Sequence, residues 1–245
     1  SYTASALSFM LENLAKPVIL TGSQLPLGMI RTDGRENIIG AVEIASNENL
    51  SIPEVCIFFE DRLYRGNRTT KINAEYFEAF YSGNYPSLAK VGINITYKQH
   101  LFLQKPTQSF KTYKKLDDNI ILIKLFPGIK ESYLRTILSI EGLKGVVLET
   151  YGSGNAPTEE WFIDALKTAI DNGIIIYNVT QCKAGSVAMG HYETSAHLAE
   201  IGVISGHDIT TESAVAKLMF LHGNYDDKNK IVEMLNQPLR GELSI

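Results

Sequence analysis

Short apolar runs alternate with stretches of helical period along this chain, and the two patterns are separated by turns rich in Gly, Pro, Asn and Ser. The first stretch places Leu7, Met10, Leu11 and Leu14 on one helical face. Lys16-Pro17 breaks it, and Val18-Ile19-Leu20-Thr21 is too short for a helix, which predicts a buried strand. Asp33-Gly34-Arg35-Glu36 has the spacing of a capping box and predicts a helix running through Ile38, Ile39, Val42 and Ile44. Val55-Cys56-Ile57-Phe58-Phe59 predicts a second buried strand. Phe77, Phe80, Tyr81 and Tyr85 surround a Gly83-Asn84-Tyr85-Pro86 turn and read as core.

The second half is more regular. Strands are predicted at residues 120–125, 145–150 and 174–179, and helices at 130–138, 158–172, from Thr194 and from Thr210. Strands separated by helices of this length imply crossover connections and a parallel, doubly wound sheet. Residues 99–118 carry mixed polarity, several lysines and Pro106, and are predicted as the linker. The fold class is thus α/β, with domains at 1–98 and 119–245.

A composition of 44% hydrophobic and 20% charged residues over 245 positions is that of an ordinary globular protein. The net charge of −4 argues against capture of nucleic acid. No apolar run reaches the roughly 18 residues needed to span a bilayer, so no membrane partner is expected. The first residues lack the basic head and apolar middle of a signal peptide, and a cytoplasmic location is expected. Cys56 and Cys182 read as small buried hydrophobes, and His100, His191, His197, His207 and His222 lack the spacing of a zinc site, so no metal is expected.

Candidate chemistry concentrates in Leu63-Tyr64-Arg65-Gly66-Asn67-Arg68-Thr69-Thr70-Lys71. An extended segment would place Thr69 and Lys71 on one face and Arg68 and Thr70 on the other. An amine fixed there and partly desolvated accepts a proton from a hydroxyl more readily, so Lys71 is the candidate catalytic base. Ser23 and Gln24 lie in the polar turn after the first strand, where open α/β sheets place ligands, and are candidate binding residues. Further polar turns run over residues 151–157 and 180–185; the first holds a G-x-G without the spacing of a dinucleotide fingerprint.

Pro17 through Pro26, Arg31-Thr32-Asp33-Gly34, Leu63 through Lys71, Tyr151 through Pro157 and Leu239-Arg240-Gly241-Glu242-Leu243, in this order, resemble the type I, cytoplasmic bacterial L-asparaginases over the whole length. The resemblance implies hydrolysis of L-asparagine to L-aspartate and ammonia, no cofactor, a larger N-terminal and a smaller C-terminal domain, and a homodimer or homotetramer. It implies a threonine nucleophile in a Thr-Gly-Gly-Thr motif, and a second threonine in a Gly-Thr-Asp-Thr motif that works with an aspartate and with a lysine matching Lys71. Neither threonine motif occurs in this sequence, which opens on a helix at Ser1, so it reads as a fragment or a processed product that does not hydrolyse asparagine by itself. Some members bind asparagine at a second, regulatory site through an arginine and a cysteine. Here Glu149 stands at the arginine's position and Cys182 at the cysteine's; with Thr70 they are the possible regulatory positions, and a carboxylate there opposes recognition of an effector carboxylate. The rival reading is a non-catalytic α/β binding or assembly module.

Overall fold

The computed structural model describes residues 1–189 and 193–245; His191 lies outside them. The chain divides into two compact units, Ser1–Lys114 and Lys115–Ile245, of which the second is the longer here.

The first unit contains α1 (Tyr2–Met10), β1 (Leu11–Glu12), β2 (Val18–Leu20), α2 (Gly34–Ala45), β3 (Val55–Phe59), β4 (Arg62–Arg65), β5 (Thr70–Lys71), β6 (Phe80–Tyr81), β7 (Ala89–Val91), β8 (Ile95–Tyr97) and β9 (Lys111–Thr112). Its main sheet has the order β2-β3-β4-β7-β8. Only β2 and β3 run parallel; the other pairs are antiparallel. β3 is buried on both faces, because Cys56 and Phe58 join a core with Ala41 and Ile44 of α2, while Val55, Ile57 and Phe59 join one with Ala4 of α1. Side chains of a strand point alternately to its two sides, so five consecutive apolar residues fit a strand packed between two helices.

Several expectations change here. The first helix stops at Met10; Leu11 enters a strand that pairs with β9, and Leu14 lies beyond it. β2 is half-buried. The expected linker, 99–118, contains the unit boundary, and its earlier part belongs to the first unit through β9. Tyr81 is exposed at 42%, so only part of the aromatic group is core.

The second unit contains β10 (Ile120–Lys124), α3 (Glu131–Leu138), β11 (Gly145–Thr150), α4 (Glu160–Asp171), β12 (Ile175–Thr180), α5 (Glu193–Glu200), β13 (Ile204–Ser205), α6 (Thr211–Asn224) and α7 (Lys228–Leu235). All neighbouring strands are parallel, in the order β10-β11-β12-β13. This sequential order corrects the doubly wound expectation: the strands advance in one direction, without the reversal that creates a switch point. The connecting helices accordingly share one face, where Leu134, Phe162, Leu166 and Leu198 pack with Val146, Leu148 and Ile176. α6 covers the other face, against β10, β11 and β12.

Candidate functional site

The sequence candidates fall into two groups, one in each unit. In the first, β2 ends in the turn carrying Ser23 and Gln24. Asp33 precedes α2, but its carboxylate does not cap that helix as the sequence spacing suggested. It accepts from the Gln24 amide at 3.0 Å and from the Leu25 amide at 3.1 Å. Asn37 Nδ2 donates to the Gly22 carbonyl at 2.9 Å and to Asp33 Oδ2 at 3.1 Å, and Thr21 Oγ1 donates to the Phe58 carbonyl at 2.8 Å. A carboxylate accepting several amide bonds fixes a backbone more firmly than neutral acceptors do, so the turn is held from beneath by α2. The loop thereby presents Ser23 exposed.

Lys71 reaches the same turn. Its Nζ donates to Gln24 Oε1 at 3.3 Å, while Gln24 Nε2 donates to the Tyr76 carbonyl at 2.8 Å. The segment leading to it is anchored by a dry ion pair: Arg65 Nε lies 2.5 Å from Glu54 Oε2, with both side chains at most 5% exposed. Arg65 Nη2 also donates to the Leu101 carbonyl at 2.8 Å, and its guanidinium stands 4.3 Å from the centre of the Tyr85 ring. Gly66 permits this closeness, since a Cβ there would lie 2.9 Å from the Val55 carbonyl oxygen.

The extended alternation expected over 63–71 is interrupted by a short 3-10 turn at Gly66–Arg68. Arg68 and Thr69 are both buried, Thr69 Oγ1 donating to the Gly66 carbonyl at 2.8 Å; Thr70 is half-buried and Lys71 is exposed. Lys71 is therefore not the desolvated amine of the sequence reading. Its ammonium has Gln24 and, at 5.9 Å, the Phe80 ring as neighbours, and no carboxylate ion pair among the described residues. Sequence reasoning missed Asn37 and the Glu54–Arg65 pair, whose partners are distant along the chain; the Asp33-x-x-x-Asn37 spacing, two polar residues on one helical face, was the available signal.

The second group surrounds Glu149, which is 8% exposed. Its carboxylate lies 3.5 Å from Lys124 Nζ and accepts from Thr211 Oγ1 at 2.5 Å. Gln181 Nε2 donates to the carbonyls of Leu125 at 2.7 Å and Glu149 at 3.0 Å, and the Cys182 amide donates to Thr180 Oγ1 at 3.0 Å. Glu149 is committed to internal partners. Cys182 is exposed, against expectation, whereas Cys56 is buried as expected and burial pushes its thiol well above the usual range. Thr70 belongs to the first unit, with the Lys71 group. Among the described residues no cluster of three or more His, Cys, Asp or Glu is placed to hold a metal ion, and no helix is long and apolar enough to cross a membrane.

The chain matches the family model "Asparaginase, N-terminal" over residues 1–103 and the model "Glutaminase/Asparaginase C-terminal domain" over residues 119–235. It is 43% identical to L-asparaginase 1 of Escherichia coli (strain K12), the alignment covering 100% of this chain and 71% of that protein. It is also 43% identical to the 60 kDa lysophospholipase of Mus musculus, covering 100% of this chain but 43% of that protein, so it spans less than half of that relative's length. The crystal structure of L-asparaginase I from Vibrio cholerae superposes with a TM-score of 0.92 at 43% identity, covering 100% of this chain and 72% of that one. With both family models matched in order and the fold reproduced in a solved asparaginase, the chain belongs to the type I L-asparaginase family.

Proposed function

We propose that the protein of which these residues are part hydrolyses L-asparagine to L-aspartate and ammonia through a threonine nucleophile, with Lys71 as its proton-accepting partner and Ser23 as a substrate contact. The observation that carries this reading is the meeting of Lys71 Nζ with Gln24 Oε1 at 3.3 Å. It joins the Thr70-Lys71 strand to the Ser23-Gln24 turn at the carboxyl end of β2. Lys71 is engaged there by a neutral amide and by no carboxylate among the described residues, so no anion holds its proton in place, and the neutral amine accepts the proton of an adjacent hydroxyl. Thr70 takes part as the neighbour that sets the lysine's position. The polypeptide of residues 1–245 alone lacks both threonine motifs and does not turn over by this route.

The same reading takes no cofactor, a cytoplasmic location and a homodimer or homotetramer. Glu149, already bonded to Lys124 and Thr211, does not receive a second asparagine, so saturation by asparagine is hyperbolic. The test is ammonia release by the full-length protein and its Lys71→Met variant. The variant's kcat/KM falls by about 10²- to 10⁴-fold, the usual worth of a positioned proton acceptor. Undiminished ammonia release would remove Lys71 from the mechanism. Aspartate binding without any ammonia release by the full-length protein would favour the binding module.

A further inference from the structure

Beyond the carboxyl ends of β10 and β11, within the second unit, lies a cavity of about 570 Å³ to which neither candidate group contributes. Three aromatic side chains, Phe126, Tyr151 and Trp161, contribute to its wall, together with Pro127. The indole is fixed edge-on against Phe162, with ring centroids 5.8 Å apart at 86°. Phe126 is 52% exposed, a large apolar surface left facing solvent beside that wall.

Among the described residues one ionisable side chain lines the cavity besides Tyr151, and it is acidic: Glu159. Glu159 is the N-cap residue of α4, yet its carboxylate makes no capping hydrogen bond. It is exposed and forms no ion pair among the described residues. Among the described residues no lysine or arginine lines the cavity. The helix terminus contributes roughly half a positive charge, which Glu159 and the adjacent Glu160 outweigh.

Aromatic rings carry negative potential on their faces, and a wall that holds three such rings and one carboxylate has the composition of a surface that attracts cations. Small inorganic cations keep their hydration shell and gain little from apolar walls. A cation with a bulky, weakly hydrated shell loses little on entering and gains both the ring faces and the carboxylate. We propose that this cavity binds an organic cation of the quaternary ammonium class, a trimethylammonium group of choline type being the smallest that fits this chemistry.

Trp161 is the single tryptophan of these 245 residues, and an emission change that Trp161→Phe removes reports on the cavity. Titration of the full-length protein with choline chloride, by calorimetry and by fluorescence, is expected to show saturable binding. The neutral isostere 3,3-dimethyl-1-butanol is expected to bind about tenfold more weakly, and Glu159→Gln and Phe126→Ala each to weaken choline by about three- to tenfold. Both variants alter exposed side chains and retain the tryptophan, and circular dichroism verifies that they fold. Phosphatidylcholine vesicles separate the two sources of such a group. Cosedimentation that Phe126→Ala abolishes supports the site with a lipid headgroup as occupant; saturation by free choline without cosedimentation supports it with a soluble cation. Absence of saturable choline binding, or equal affinity for the neutral alcohol, overturns the proposal.

Discussion

Lys217 on α6 and Lys71 on β5 place the same ammonium in opposite surroundings. Lys217 is 0% exposed, and its Nζ reaches Glu242 Oε1 at 2.6 Å, the Gln237 carbonyl at 2.6 Å and the Leu235 carbonyl at 3.1 Å. Three donors thus meet three acceptors. Lys71 is exposed, and its hydrogen-bond partner is a neutral amide oxygen at 3.3 Å. Burial pulls the Lys217 amine below the usual lysine range, against the opposing pull of Glu242. The difference lies in what covers each strand or helix. α6 packs on three strands and receives the C-terminal segment over its buried side, whereas β5 pairs with β6 in a two-stranded sheet. A lysine becomes dry when distant chain closes over it, and local sequence does not decide that.

The largest expected consequence is in stability. Lys217→Ala leaves Glu242 buried without its cation and costs about 3–5 kcal/mol in urea unfolding. Lys71→Ala stays within about 0.5 kcal/mol of the parent, the usual range for an exposed substitution. Equal effects at the two positions would erase the contrast.

A double substitution sharpens it. Replacing a buried ion pair by apolar residues of similar size is often neutral, because it removes two desolvated charges together. Here the pair also serves the main chain: Lys217 donates to the Leu235 and Gln237 carbonyls, and Glu242 accepts from the Leu239 and Arg240 amides at 3.0 and 2.7 Å. Lys217→Met with Glu242→Leu strands these groups, and it should remain destabilised by about 2 kcal/mol or more. Recovery to the parent value would mean that the C-terminal turn holds its shape without the pair.

The pair of Lys144 and Asp117 is intermediate, at 2.6 Å with side chains 48% and 13% exposed. The hydrogen bond from Lys144, and then that from the Asn119 amide, hold the Asp117 carboxyl down to about 2. A depressed carboxyl contributes stability that is fully present above its unfolded value near 4 and is lost as pH falls toward 2. Because Lys144 is half-exposed, the contribution is discounted to about 0.5–1 kcal/mol. Asp117→Asn should therefore be less stable than the parent by about that amount at pH 6, with the gap closing between pH 4 and pH 2 in urea titrations. A gap independent of pH would show that packing, and not charge, supports this site.

The same contrast explains what could be read in the sequence. β11 and β12 are buried at every position, so their apolar runs stand out, and β11 matches its predicted bounds. In the first unit, β4 to β9 are two to four residues long, and the hairpin between β3 and β4 turns through Glu60 and Asp61 at φ 45° and 62°. Those residues are not the Asn-Gly pair that signals such a turn, and they left no trace in the pattern. Strand order in the second unit was equally illegible, since hydrophobic period records burial and not neighbours. For the site, the blocks holding Ser23, Gln24 and Lys71 were legible as blocks, and their meeting was not. The spacing at Asp33 predicts a cap, and its carboxylate instead accepts from the amides of a turn brought back beside it.

The smallest effect tests how loosely Lys71 is held. A Lys71→Met, Gln24→Leu double-mutant cycle isolates the 3.3 Å contact from whatever else each residue touches. An exposed charge bonded to a neutral amide exchanges readily with water, so the coupling energy should fall below about 0.5 kcal/mol. Gln24→Leu by itself should cost more than Lys71→Met, because Gln24 Nε2 also donates to the Tyr76 carbonyl at 2.8 Å and ties the 73–76 turn to the loop after β2. A coupling above about 1 kcal/mol would place Lys71 nearer to Lys217 in kind, since only partial dehydration makes so long a contact worth that much. A weak coupling leaves the Lys71 side chain held in position yet uncommitted, the condition under which its neutral amine can leave Gln24 and accept the proton of a reacting hydroxyl.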